Sequence, residues 1–274
     1  KEHLISTKLL PYFADMRICD IDISTVRKWQ NELISHENGY APTYLKTVHN
    51  QLSAIFNFAV KYYKLPSNPA SACGSMGKKK AESMQFWTKE EFDSFIKCVS
   101  DKPLSKVVFH LFFYSGMREG ELLALTLNDF DFDNNTVSIT KNYARLGYEE
   151  IIQAPKTPKS KRTITLPAEI MEMVKEYSSM LYDYKPTDRL FLTSKQSLTR
   201  EMIRGCTASG VKRIRIHDLR HSHASLLIEL GFAPLLISER LGHENVETTL
   251  NTYSHLYPNK HGEVAEILSK LIQN

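Results

Sequence analysis

The chain has 274 residues, 42% hydrophobic and 24% charged, a composition ordinary for a globular protein of about two domains. Its formal net charge of +4 permits a nucleic-acid partner without requiring one. Cys19, Cys73, Cys98 and Cys206 lie far apart with no CxxC pair, which argues against a zinc finger or a disulfide framework and for free thiols in a reducing cytosol. No apolar run approaches the ~20 residues that cross a bilayer. No signal peptide is read either. The chain starts at Lys1 rather than Met, so it is expected to be part of something longer.

Residues 1–70 read as all helix. Val26, Trp29 and Leu33 share one face. After the turn at Glu37-Asn38-Gly39, the residues Tyr44, Leu45, Val48, Leu52, Ile55, Phe56 and Ala59 recur at spacings of three and four, the period of a helix with one buried side. Lys46, His49 and Lys61 fall on the other side. Pro66 and Pro69 break the pattern. Residues 71–86 read as a linker: Gly74, Ser75, Gly77 and the run Lys78-Lys79-Lys80 are small, polar or basic. They suit either a solvated connector or a strap along a phosphate backbone.

A second domain, 87–274, opens at Thr88, where Glu91 completes a capping box. The apolar stretch Val107–Tyr114 leads to Ser115-Gly116-Met117-Arg118. Strands are expected at 136–140, near 151–152 and at 162–166, where Pro167 stops the alternation. Helices are expected at about 168–182, 198–209, 218–230, 234–241 and 246–256. A last amphipathic helix carries Val264, Ile267, Leu268, Leu271 and Ile272.

His217 and Arg220 are three apart, so a helix projects them side by side toward one ligand. An imidazole beside a guanidinium suits a phosphate. His217 and His221 are four apart, yet no Glu follows in the HExxH manner and no Cys is near, so no metal is expected. His221 and His223 read as helix residues with ordinary hydrogen bonds. Arg118 has Glu121 three residues on, an acid able to hold its plane. Lys156 lies in a basic tip before the strand at 162–166. His243 follows Gly242, ten residues before Tyr253, and Tyr257 is a rival to that tyrosine.

The ordered set Tyr114-Ser115-Gly116-Met117-Arg118-Glu119-Gly120-Glu121, Pro155-Lys156-Thr157, His217-Asp218-Leu219-Arg220-His221, Leu241-Gly242-His243 and Thr249-Leu250-Asn251-Thr252-Tyr253-Ser254-His255 resembles the tyrosine recombinases, or phage-type integrases. The tone is closest to integrases of conjugative transposons. The resemblance implies a mainly α fold with a small β-sheet: a helical core-site DNA-binding domain and a mixed α/β catalytic domain. It implies Tyr253 as nucleophile and Arg118 and Arg220 as a phosphate clamp. His217 would take the phenol's proton, Lys156 would protonate the leaving 5′ oxygen, His243 would bond the phosphate, and Glu121 would support the pocket. The product of cleavage would be a 3′-phosphotyrosine, made without cofactor. Lys46, His49, Lys61, Lys78, Lys79 and Lys80 are expected to contact DNA.

The expected partners are double-stranded DNA at element ends and target sites, three further copies in a homo-tetramer, an excisionase and a DNA-bending protein, with no membrane, in the nucleoid of a bacterial cytoplasm. The family often carries a further N-terminal domain for arm-type sites, which fits a chain that starts mid-protein. Alternatives are a type IB topoisomerase-like nicking-closing enzyme and a non-catalytic DNA-binding regulator.

Overall fold

Asp22 starts helix α1 (Ile23–Ile34) by accepting from the Thr25 amide at 2.7 Å, in a computed structural model that describes residues 1–37, 39–78, 84–147, 149–155, 157–257 and 269. Pro42 at its first turn starts α2 (Pro42–Tyr63), and Asn68 caps the short α3 (Pro69–Cys73). The first of two units, Lys1–Ser83, packs Val26 and Trp29 of α1 against Val48, Leu52 and Phe56 of α2. That is the face the spacing predicts. Ala70, Cys73 and Met76 join the same core, so the stretch from 71 to 76 is built into this unit rather than serving as a bare linker. Lys79 and Lys80 lie outside the described residues, as does the 264–272 segment apart from residue 269.

In the second unit, Met84–Asn274, Thr88 and Glu91 exchange capping bonds at 2.9 and 3.3 Å ahead of α4 (Lys89–Lys97). Helix α5 (Pro103–Ser115) is buried nearly all round, and its Phe113 stacks on Phe92 at 4.0 Å. Gly116 ends it with φ +65°, a left-handed turn that suits glycine. Helix α6 (Glu119–Leu123) follows at once. Strands β1 (Phe130–Asp131), β2 (Thr136–Ile139) and β5 (Arg162–Thr165) form an antiparallel sheet in the order β1-β2-β5. Val137 faces Ile164 across it, and both are buried while Ser138 and Thr163 face out. Strands β3 (Asn142–Leu146) and β4 (Glu149–Gln153) make a separate hairpin.

Helices α7 (Ala168–Ser179), α8 (Lys195–Ser209), α9 (Asp218–Glu229), α10 (Pro234–Leu241) and α11 (Val246–Tyr253) follow in this unit. The architecture is mainly helical with small antiparallel sheets. The expected helix over 246–256 stops at Tyr253 and tightens into a 3₁₀ turn, Ser254–Leu256, so Tyr257 does not share a helical face with Tyr253. No helix among the described residues is long and apolar enough to cross a membrane.

Candidate active site

Three helix ends bring the pocket together. The αL residue Gly116 turns the chain from α5 into Arg118, at the start of α6. The Arg118 amide donates to Glu121 Oε2 at 2.9 Å, and its Nη1 donates to Oε1 at 2.7 Å. Its Nη2 donates to the Gly242 carbonyl at 3.2 Å. Glu121 also receives Arg162 from β5, through Nη1 at 3.2 Å and Nη2 at 2.8 Å. Burial works to raise the Glu121 pKa, but the Arg162 hydrogen bonds and charge, with Arg118, outweigh it and hold the carboxyl below its ordinary value. Gly242, at φ +67°, ends α10, and a Cβ there would stand 2.9 Å from Arg162 Nη1. The sequence shows Arg162 only as a strand residue; its role as the second cation on Glu121 depends on the sheet.

Arg220, on the first turn of α9, is 3% exposed. Its Nη1 donates to the Gly116 carbonyl at 2.7 Å, while its buried Nη2 has no partner among the described residues. Burial first, then Arg118 and Arg162, push its pKa down to about 9, which still leaves it charged at neutral pH. A buried cation with a spare donor calls for an anion. His217 stands at the N-terminal end of the same helix. Burial first, then Arg220, lower its pKa. It lines a cleft of about 650 Å³ with Arg118, Asn142 and Lys195.

His243 follows Gly242 and shares a 2.7 Å hydrogen bond between its Nδ1 and the buried Thr249 hydroxyl of α11. Burial, then Arg220 and Arg118, hold its pKa down to about 3. Tyr253 is 1% exposed, and burial raises its pKa to about 12 although Arg220 opposes this. Its hydroxyl lies 2.7 Å from His221 Nδ1, a residue that sequence reasoning set aside. His223 is a structural residue: Nδ1 bonds the Phe113 carbonyl at 2.8 Å and Nε2 accepts from Arg240 Nε at 3.0 Å.

The structure thus brings Arg118, Glu121, His217, Arg220, His243 and Tyr253 into one region. Lys156 lies outside the described residues; Pro155 and Thr157 line a cleft of about 450 Å³ with Arg118, Glu121 and Gly242. Tyr257 packs on the cluster of Ala224, Ile228 and Leu241, its buried hydroxyl without a partner among the described residues. Among the described residues no group of three His, Cys, Asp or Glu side chains could hold a metal.

Of the expected DNA contacts, His49 is corrected. It is 3% exposed inside the first unit, 3.1 Å from Gln30 Nε2, and burial lowers its pKa, so it is a core hydrogen-bonding residue. The helix period misplaces it because the buried Gln30 supplies a polar partner inside the core. Lys46 donates to Ser75 Oγ at 2.6 Å, Lys61 lies over the Tyr62 ring at 5.0 Å, and Lys78 is exposed.

The model of the phage integrase family matches residues 85–260, and that of the phage integrase N-terminal SAM-like domain matches residues 1–34. The chain belongs to the phage integrase family. It is 29% identical to the ICEBs1 integrase of Bacillus subtilis over 99% of this chain and 77% of that protein. It is 28% identical to a XerC-like tyrosine recombinase of Caldanaerobacter subterraneus over 93% of this chain and 73% of that one. The fold matches the Tn1549 transposon integrase in complex with transposon right end DNA, with TM-score 0.79 and 18% identity, covering 100% of this chain and 92% of that one. These relatives favour strand exchange over a nicking-closing activity.

Proposed function

We propose that this recombinase cleaves and rejoins DNA through a covalent 3′-phosphotyrosine at Tyr253, integrating and excising a mobile element. The observation that carries this reading is the buried, charged Arg220 with a spare Nη2, in the same region as Arg118, His243 and Tyr253. Arg118 and Arg220 neutralise the charge that grows on the non-bridging oxygens in the transition state. His243 donates a hydrogen bond to the same phosphate, and His217 stands by to take part in the proton transfer from the phenol. Lys156 gives a proton to the departing 5′ oxygen. The ester conserves the bond energy, so a 5′ hydroxyl from a second duplex attacks it and releases the tyrosine.

Residues 1–70 are the core-site DNA-binding domain in this reading, with Lys46, Lys61, Lys78, Lys79 and Lys80 toward phosphates, and residues 87–274 are the catalytic domain. Two exchanged duplexes need four cleavages, so the active assembly is a homo-tetramer on element-end and target DNA. An excisionase and a DNA-bending protein set direction, and the reaction takes place in the nucleoid of a bacterial cytoplasm.

Incubation with a nicked suicide duplex tests the reading. Wild type accumulates a protein–DNA adduct, and Tyr253→Phe binds the duplex equally well with no adduct. Adducts formed by Tyr253→Phe overturn it.

A further inference from the structure

Among the described residues the Tyr253 hydroxyl has one hydrogen-bond partner, and it is not His217. His221 sits one position after Arg220 on α9, with its Nδ1 2.7 Å from the phenolic oxygen. The two rings meet edge to face at 5.6 Å, and His217 braces His221 from one turn away at 5.4 Å in the same manner. The direction of the bond follows from burial. If Nδ1 carried the hydrogen, the phenolic O–H would be a buried donor with no acceptor among the described residues, a costly arrangement. The phenol therefore donates, Nδ1 accepts, and the imidazole's hydrogen is on Nε2.

We propose that His221 is the proton acceptor for Tyr253 during strand cleavage. As the bond from Tyr253 Oη to phosphorus forms, the phenolic proton passes to His221 Nδ1. The bond from phosphorus to the 5′ oxygen breaks, and that oxygen leaves as a hydroxyl with a proton from Lys156. This rests on the reading of Tyr253 as nucleophile, and it replaces His217 as the base.

The groups that face His221 are His217, Asp218 and Arg220 on its own helix, Arg215 just before it, Tyr253 on α11 and His243 after α10. In the free protein, burial first and then His217 hold the imidazole down to about 4, while burial lifts the phenol to about 12. The proton accordingly rests on the tyrosine. A phosphodiester seated on the arginines adds negative charge beside the imidazole and favours its protonated form. His221 thus becomes a stronger base when DNA is in place, which ties nucleophile activation to substrate.

His221→Asn places Oδ1 roughly where Nδ1 stands, so it keeps an acceptor for the phenol and removes the base. Adduct formation on the nicked duplex is compared for wild type, His221→Asn and Tyr253→Phe, alongside DNA affinity and Tm. General-base loss predicts a rate down roughly 10²–10⁴-fold for His221→Asn, with affinity unchanged and a rate that climbs with pH above neutrality. A His221→Asn rate near wild type overturns the proposal. Adducts in Tyr253→Phe would sink the nucleophile reading itself, whereas their loss there beside a fully active His221→Asn sinks only the role of His221. Should His221→Asn fail to fold, ¹⁵N NMR of the imidazole in wild type decides: an unprotonated Nδ1 is expected, and a protonated Nδ1 overturns the proposal.

Discussion

Around Glu121 both carboxylate oxygens are bound, by Arg118 and Arg162, and Arg162 is tied further to the Arg240 and Ser160 carbonyls. Tyr253, by contrast, has one hydrogen bond at its hydroxyl among the described residues and is the last residue of an eight-residue helix. The cation side resembles a fixed electrostatic cradle, prepared before substrate arrives. The phenol ring is packed with Ala224, Ile228, Ile237 and Leu241, but its hydroxyl has a single tie to give up, as suits a group that has to change partners during the reaction. Damage to the first should show in folding, and damage to the second in chemistry.

The largest difference is expected from paired substitutions at the two positions. Glu121→Gln leaves Arg162 buried without its carboxylate and should cost about 3–5 kcal/mol in urea unfolding. Tyr253→Phe loses one hydrogen bond and should cost about 1 kcal/mol. Equal losses would break the comparison.

Acid should separate the groups in order. His221, with its pKa near 4, and His223 and His243, both near 3, stay neutral in the fold, whereas their ordinary value is 6.5. Below pH 6.5 the unfolded chain takes up protons that the folded one refuses, so stability falls as pH drops from 6.5 toward 4. Glu121 has a depressed pKa, so its contribution is present above its unfolded value of 4.5 and is lost as pH falls through the folded one. Chemical denaturation at stepped pH reads both phases. A flat profile between pH 6.5 and 4 would mean that the imidazoles are charged in the fold.

The smallest effect belongs to the first unit. Lys61→Ala should lower the slope of log affinity against log salt by about one, with little change in adduct rate on bound DNA. An unchanged slope would leave Lys61 as a solubilising residue.

Much of this was legible in the sequence. The apolar period of 44–59, the Thr88 capping box and the strand at 162–166 depend on near neighbours, and each has its structural counterpart. Arg118 and Glu121 were legible together because they are three apart on one helix start. What local pattern could not carry was long-range pairing. Arg118 meets Gly242 across 124 positions, and His221 meets Tyr253 across 32. His221 looked ordinary because only the packing of α11 on α9 gives it a phenol. His49 looked exposed because nothing in its own helix signals the buried Gln30. The early residues of the 71–86 stretch look like linker by composition, yet Cys73 and Met76 find apolar partners in α1 and α2.

The central claim is tested most directly by trapping the adduct on a nicked element-end duplex, digesting the complex and locating the nucleotide-modified residue by mass spectrometry. The account predicts a 3′-linked nucleotide on Tyr253 alone. Modification of Tyr257, or of a residue other than tyrosine, would contradict it.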